Sequence, residues 1–396
     1  MLKIALVDNE SLYSANLIDN LQNFSDIKVT LYAPKFFIQN KSREFVSYFV
    51  RDKKRVWTPH LYFLQIWKTA LKSHPDIIHI QFEFFGIHSF GPVYSSLFLP
   101  LLLLLLKLIR LKIVITLHQV LPINSLSKID MVKLMPQIKI PIMVLRWFMR
   151  IYVSLISILV NGIVVHQDFL KKCLVHNYHL NEEKVYVIPH GITFSKPFLH
   201  LKTLNYWRSK IGSRDIILYF GVLSPRKSVD VLIRSYSLIA NDHPNSLLVI
   251  VGDQPPYYKG YFDKLQTLVK ELEIEDKVLF LGSLPDEDVH AIFSLAKIVV
   301  FPQTVSLSAS GSICWAIQHR KPIIAFNIES FREFEGFIIM VPKNIHKLAF
   351  AISKLIDDKN LRESLSKKLD ILKSSRSWNE ICKRHIELYY QFLARW

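Results

Sequence analysis

Arg226 and Lys227 stand side by side between the apolar run DIILYF and the amphipathic stretch SVDVLIRSYSLIAND, at the start of a predicted helix. Two fixed cations beside free helix-start amides suit an anion with several oxygens, a diphosphate above all, because guanidinium, ammonium and N–H groups all act in the same direction. A second stretch, FPQTVSLSASGSICWAIQHRKPIIAF from Phe301 to Phe326, sets Thr304, Ser306, Ser308, Ser310 and Ser312 on alternate positions around Gly311. KIVVF reads as a strand, CWAIQHRKP as a helix that stops before Pro322, and PIIAF as the next strand, so the hydroxyl run is a strand-to-helix loop. Backbone amides at 310–312 are then expected to face a phosphate, with Ser308, Ser310 and Ser312 adding hydroxyls. The plainer alternative is one serine capping a helix.

Such groups need strand ends to hold them. The first half offers LKIALV (Leu2–Val7), KVTLYA, DIIHIQ (Asp76–Gln81), KIVITL (Lys112–Leu117), GIVVH and KVYVI (Lys184–Ile188). The second offers DIILYF (Asp215–Phe220), LLVIV (Leu247–Val251), VLFL, KIVVF (Lys297–Phe301), PIIAF and FIIMV. Near-continuous apolar runs separated by amphipathic helices predict parallel strands covered on both faces, and hence an α/β protein of two consecutive doubly wound, Rossmann-like domains. Periodicity lapses between His190 and Asn205. The expected division is 1–195, 196–376 and a closing helix, 377–396, that packs back towards the first domain. Ligands of open parallel sheets bind at the carboxyl ends of strands, and four of only 11 glycines, Gly221, Gly252, Gly282 and Gly311, follow strands of the second half.

Composition narrows the partners. The chain has 396 residues, half of them hydrophobic, and a formal charge of +17, which favours a nucleic acid, a membrane surface or a phosphorylated substrate. Lys53, Lys54 and Arg55 form the one tight basic run and no binding motif surrounds them, so no nucleic acid is expected. Cys173, Cys314 and Cys382 lie far apart without ligand spacing, which predicts no structural metal and a reducing, cytoplasmic setting. MLKIALVDNE shows no secretory signal. The uncharged run Val93–Leu106 is short for a membrane span, and IKIPIMVLRWFMRIYVSLISILV carries Lys139, Arg146 and Arg150. Both are read as helices of the fold that present a membrane-facing surface, peripheral at the inner face of an anionic membrane.

The order KIALV, PDIIHIQFEF, KIVITLHQVLP, GIVVH, VIPHGI, YFGVLSPRKSVDVLI, LVIVGD, VLFLGSLPDEDV, IVVFPQ, SGSICWAIQHRKPIIAF resembles, along nearly the whole chain, retaining nucleotide-sugar glycosyltransferases of the GT-B type, family 4. The resemblance implies two Rossmann-like domains facing a cleft, acceptor on the first and donor on the second. It implies no metal and no cofactor beyond a nucleotide diphosphate sugar as co-substrate. On that pattern Lys227 matches the lysine on the donor diphosphate, His118 the histidine near the donor sugar, and His190 of IPHGI the inter-domain hinge facing the cleft. Gly221, Arg226, Gly252, Gly311 and the serines complete the donor site, with base contacts from the backbone of Gly282, Ser283 and Leu284. Asn9, Glu10, Ser14, Gln81 and Glu83 are the acceptor candidates, and the acceptor is expected to be a glycan or lipid-linked.

Two departures stand out. Val222 occupies the place where the family often carries arginine, and Arg226 is the expected substitute. The family's paired glutamates, eight residues apart, fall on Leu307 and Trp315. Their loss keeps two alternatives beside a retaining hexosyl-type transferase: a non-catalytic scaffold subunit of the same fold, and a nucleotide-sugar epimerase.

Overall fold

In the computed structural model, which describes residues 1–8, 12–34, 45–48, 59–83, 98–124, 127, 141–192, 200–305 and 311–394, strands and helices alternate along the chain. The first half runs β1 (Leu2–Val7), α1 (Leu12–Leu21), β2 (Ile27–Pro34), β3 (Phe45–Tyr48), α2 (Pro59–Ser73), β4 (Ile77–Phe82), α3 (Leu99–Leu108), β5 (Lys112–Leu117), α4 (Ile142–Leu159), β6 (Gly162–Val165), α5 (Asp168–Tyr178) and β7 (Val185–Val187). The second runs α6 (Leu201–Ile211), β8 (Asp215–Phe220), α7 (Val229–Ser237), β9 (Ser246–Val251), α8 (Tyr261–Glu271), β10 (Val278–Gly282), α9 (Asp286–Leu295), β11 (Ala296–Phe301), α10 (Gly311–Gln318), β12 (Ile323–Phe326) and β13 (Ile339–Val341), followed by α11 (Ile345–Asp357), α12 (Lys359–Ser375) and α13 (Trp378–Ala394).

Two all-parallel sheets result. The first has seven strands in the order β3-β2-β1-β4-β5-β6-β7 and the second six in the order β10-β9-β8-β11-β12-β13. Each order reverses once, between β1 and β4 and between β8 and β11, and it is at such a reversal, outside the carboxyl ends of the strands, that open parallel sheets form their binding crevices. Central strands such as β4 and β9 are buried at every position, the reason their sequences lack the alternation of a one-sided strand. Strand β3 was not among the expected runs.

The first sheet has a core on each face. Helices α2, α3, α4 and α5 cover one face. Helices α1 and α13 cover the other, where Trp378, Ile381, Tyr389 and Phe392 pack against β1, β2 and α1. The closing helix thus lies on the first sheet, with Cys382 Sγ 3.7 Å from the Leu17 carbonyl and Tyr390 donating to Asp26 at 2.8 Å. Gly191 is what admits Trp378, since a Cβ there would meet the indole ring at 2.5 Å. The second sheet has one continuous core from Ile192 to Leu372.

Candidate functional site

The crevice of the second sheet is built from backbone. Gly221 ends β8 with φ +147°, Gly252 ends β9 with φ +133°, and the amide of Gly252 donates to the carbonyl of Gly282 at 2.8 Å. A Cβ on Gly252 would overlap the Gly221 carbonyl oxygen, so close packing of the strand ends depends on glycine there. Ser312, in the first turn of α10, holds its hydroxyl 3.2 Å from where a Cβ on Gly221 would stand. Gly311 opens α10, while Ser308 and Ser310 lie outside the described residues. Ser283 is exposed and Leu284 half-buried beyond β10.

The cationic turn is braced into this crevice. Pro225–Lys227 form one 3-10 turn, and Ser228, at φ +52°, leads into α7. Thr304 ties the turn to the loop after β11: its amide donates to the Arg226 carbonyl at 3.2 Å and its hydroxyl lies 3.2 Å from that of Ser228. Lys227 donates to the side-chain carbonyl of Gln303 at 2.6 Å, a neutral partner rather than a carboxylate. Burial, with Arg226 adding to it, lowers the Lys227 ammonium to about 7. An anion arriving here meets the Arg226 guanidinium and a lysine poised to take up a proton near neutral pH, and no acid lies in the turn to compete for them.

The crevice of the first sheet has the opposite character. Asp8 ends β1 and is 5% exposed; Glu83 follows β4. Burial, then the charge of Asp8, raises the Glu83 carboxyl to about 7, and Arg226 of the other half pulls against that rise. Gln119 donates to Glu83 at 3.4 Å. Asn9 and Glu10 lie outside the described residues. Of the other acceptor candidates, Ser14 is buried in α1 at 0% exposure and Gln81 is 2% exposed, its carboxamide held between His118 and His79.

Gln81 belongs instead to a buried chain of rings. His166 Nδ1 donates to the Ile188 carbonyl at 2.9 Å, which leaves its Nε2 to accept from His118 Nδ1 at 3.0 Å. His118 Nε2 is 2.8 Å from the Gln81 carboxamide, and that carboxamide reaches His79 Nε2 at 3.2 Å. His79 bonds Thr116 and Tyr389 at 2.7 Å each. Burial, with His190 beside it, pulls His118 down to about 3, and burial holds His79 and His166 well below the ordinary range, so the chain is neutral. The structure sets Gln81 Oε1 against His118 and Gln81 Nε2 against His79; with all rings neutral, the pairing closes when that carboxamide is turned over, its nitrogen donating to His118 and its oxygen accepting from His79. Both nitrogens of His118 are therefore already used inside the protein.

The halves meet beside this chain. His190 donates to the Gly191 carbonyl at 2.7 Å, lies 3.6 Å from Cys314 of α10, and sits among the rings of Tyr13, His166 and Trp378. Gln167 donates to the Ser330 carbonyl at 2.8 Å and bonds Glu333, which also accepts from Arg376 at 2.8 Å. Val305, past β11, packs into the core of the first half.

Sequence comparison matches residues 12–196 to the family model "Glycosyltransferase Family 4" and residues 206–369 to "Glycosyl transferases group 1". The chain carries the two domains of a GT-B glycosyltransferase. It is 27% identical over 56% of its length to an uncharacterized glycosyltransferase of Methanocaldococcus jannaschii. It is 23% identical over 57% of its length to a lipopolysaccharide 1,2-N-acetylglucosaminetransferase of Salmonella typhimurium. The chain spans 57% and 61% of the length of these two curated relatives. Among solved structures it is similar to Anabaena HepE in complex with UDP-glucose, with a TM-score of 0.72, 18% identity, and 99% of this chain and 100% of that chain covered.

Trp315, on which the resemblance to family 4 sets the second of the paired glutamates, is 6% exposed. Its indole stacks on Phe293 and His319 and meets Phe220 and His290, so the α10 face beside the crevice is an aromatic wall. Leu307 lies outside the described residues. Asp8, His166 and Gln303 were not among the expected site residues, although each follows an apolar strand run, the position that signals a ligand edge.

Proposed function

We propose that this chain transfers a hexosyl-type sugar from a nucleotide diphosphate sugar to a glycan or lipid-linked acceptor, with retention at the anomeric carbon and without a metal. The observation that carries this reading is the placement of Arg226 and Lys227 at the β8/β11 reversal, with Lys227 resting on the neutral Gln303 beside the glycine-lined strand ends. Departure of a nucleoside diphosphate from the sugar builds negative charge on the phosphates, and two cations with the amides near Gly311 are suited to stabilise it. Those cations are also the support for a metal-independent reaction. The relatives named above, one of lipopolysaccharide and one solved with UDP-glucose, support the donor and acceptor classes.

In this reading the strand-end backbone at Gly221, Gly252 and Gly282 to Leu284 holds the nucleotide. His118 walls the sugar pocket and exchanges Gln81 for a sugar hydroxyl when donor is bound. Asp8 and Glu83 face the acceptor. The first domain takes acceptor and the second donor, and the enzyme works at the cytoplasmic face of a membrane.

The test is a calorimetric screen of uridine-, guanosine- and adenosine-diphosphate sugars with chelator present, wild type beside Lys227→Ala. Selective binding by wild type is expected, with a loss of about 10- to 100-fold in the variant, the value of a charged hydrogen bond. Product NMR then reads the anomeric configuration. A second reading, a non-catalytic scaffold, is favoured by the buried Trp315 in place of a carboxylate. Binding to no donor would support it, and a free epimer formed without acceptor would point to an epimerase.

A further inference from the structure

Helix α4 is apolar on both faces. Leu145, Met149, Tyr152, Val153 and Ile156 are buried against the sheet, as a covering helix requires. The opposite face carries Met143 (69% exposed), Trp147 (67%), Ile151, Leu155 and Ile158 (61%), spaced four, four, four and three residues apart, where a helix bathed in water carries polar side chains. Helix α3 packs beside it and continues the surface with exposed Leu101, Leu104 and Leu108. By length and composition α4 is the one described helix able to cross a membrane. Its buried stripe is committed to the core, however, and Arg150 is tied to Asn177 and Asn124 at 3.1 and 2.9 Å. These contacts fit a helix lying along a bilayer surface.

A basic crevice adjoins that face. At the carboxyl end of α4 a cavity of about 510 Å3 is lined by Lys107, Arg110, Lys112 and Lys184, with Ile158 shared between crevice and apolar stripe, and no acidic residue lines it among the described residues. Lys107 donates to the Ile158 carbonyl at 2.9 Å and Lys184 to the Ser157 carbonyl at 2.8 Å, which anchors both ammoniums at the helix end. Arg110 holds φ +60°, a backbone position where glycine commonly ends a helix, and its guanidinium has no partner among the described residues.

We propose that this crevice binds the phosphate headgroup of an anionic phospholipid while the exposed faces of α3 and α4 lie among the acyl chains. Charge complementarity and the shared Ile158 decide for a bilayer over a soluble phosphate: a free anion needs the crevice alone, whereas the apolar stripe leading out of it needs a hydrocarbon phase. Crossover helices run antiparallel to the strands they connect, so α4, about 27 Å long, has its crevice end remote from the cleft and its Trp147 end beside the cleft mouth. A bilayer along α4 would bring membrane-borne molecules to that mouth. This deepens the membrane part of the reading above without depending on sugar transfer.

Flotation of the full chain with vesicles tests it. Binding is expected to phosphatidylcholine containing one-third phosphatidylglycerol, to weaken in 0.5 M salt on the order of tenfold, and to be slight with phosphatidylcholine alone. Arg110→Gly should weaken it about fivefold, the share of one cation near an anionic leaflet, and keeps the fold because glycine favours that φ. Lys367→Gln, on exposed α12 of the other domain, should leave binding unchanged. Brominated acyl chains should quench tryptophan fluorescence in wild type and much less in Trp147→Phe. Equal losses in Arg110→Gly and Lys367→Gln would reduce the effect to diffuse charge and overturn the proposal. So would an absence of quenching at Trp147, or millimolar inorganic phosphate binding at Arg110 without vesicle binding.

Discussion

The two crevices occupy equivalent places, each at the reversal of strand order in a parallel sheet, yet their chemistry is opposite. At β8/β11 the wall is backbone and cation, with glycines that let strand ends touch and Lys227 parked on an amide. At β1/β4 the wall is carboxyl, Asp8 and Glu83, backed by a neutral chain of imidazoles. The same topology supplies an opening twice and the side chains assign it. In the proposed reaction a diphosphate would be drawn to the cationic wall and repelled by the acidic one, and a hydroxyl acceptor would find hydrogen-bond acceptors at the second. The contrast gives the cleft a direction.

The contrast depends on the cationic wall having done without the family's carboxylate, and Trp315→Glu is the change that tests this hardest. The indole fills space among Phe220, Phe293, His290 and His319. Removing it leaves a cavity, and the replacement buries a carboxyl among rings. A loss of about 3–5 kcal/mol in urea unfolding is expected, with no gain in donor affinity. A variant as stable as wild type that binds donor more tightly would show that α10 still has a carboxylate position, and the contrast would fail.

What could be seen in the sequence divides along the same line. Gly252, Arg226 and Lys227 could be singled out in the sequence because a glycine after a strand and paired cations before a helix are visible in residue type and position alone. Gln303, which accepts from Lys227, is a neutral amide in a loop, and nothing in its type marks it. The histidine chain is less legible still: His79, Gln81, His118 and His166 come from three neighbouring strand ends and meet Tyr389, 310 positions from His79. Gln81 and Ser14 were expected to face an acceptor because they follow strand β1 or sit near the end of β4. Gln81 lies in a strand buried at every position, so no alternation remained to separate inward from outward residues, and Ser14 lies in α1, whose Tyr13, Leu17 and Ile18 are also buried. The twelve expected strand runs all became strands, since a buried parallel strand is the most strongly written element a chain has; β3, short and at the sheet edge, was not found.

A second test uses the protonation of Lys227, lowered to about 7 by burial and by Arg226. Below that pH the ammonium is already charged when donor arrives. Above it, a proton must be taken up with the diphosphate, so donor affinity should fall as pH rises, by up to tenfold per unit until the pH reaches the lysine's higher value in the complex. Calorimetry at pH 8 in two buffers of different ionisation enthalpy should show uptake of up to one proton, and Lys227→Met should abolish both uptake and slope. A donor affinity indifferent to pH would mean that the lysine stays charged, and the cationic wall would owe nothing to the neutral Gln303.

The smallest effect belongs to the acidic wall. Glu83 is raised to about 7 by burial and by Asp8, so its carboxylate is present above that pH and lost below it. As a hydrogen-bond acceptor for the incoming hydroxyl, it should make kcat/KM for acceptor rise with pH through about 7. Glu83→Gln keeps an acceptor oxygen without the charge, which should flatten that limb and cost about fivefold at pH 8, near 1 kcal/mol, with donor affinity unchanged. The profile also reports on the other crevice. Arg226 pulls the Glu83 carboxyl down in the free protein. A bound diphosphate both occupies that guanidinium and adds negative charge nearby, so saturating donor should move the acceptor limb to higher pH. Such a shift would tie acceptor activation to donor occupancy through one arginine. A limb at the same pH with and without donor would mean that the two walls act separately, and Arg226 would belong to the cationic one alone.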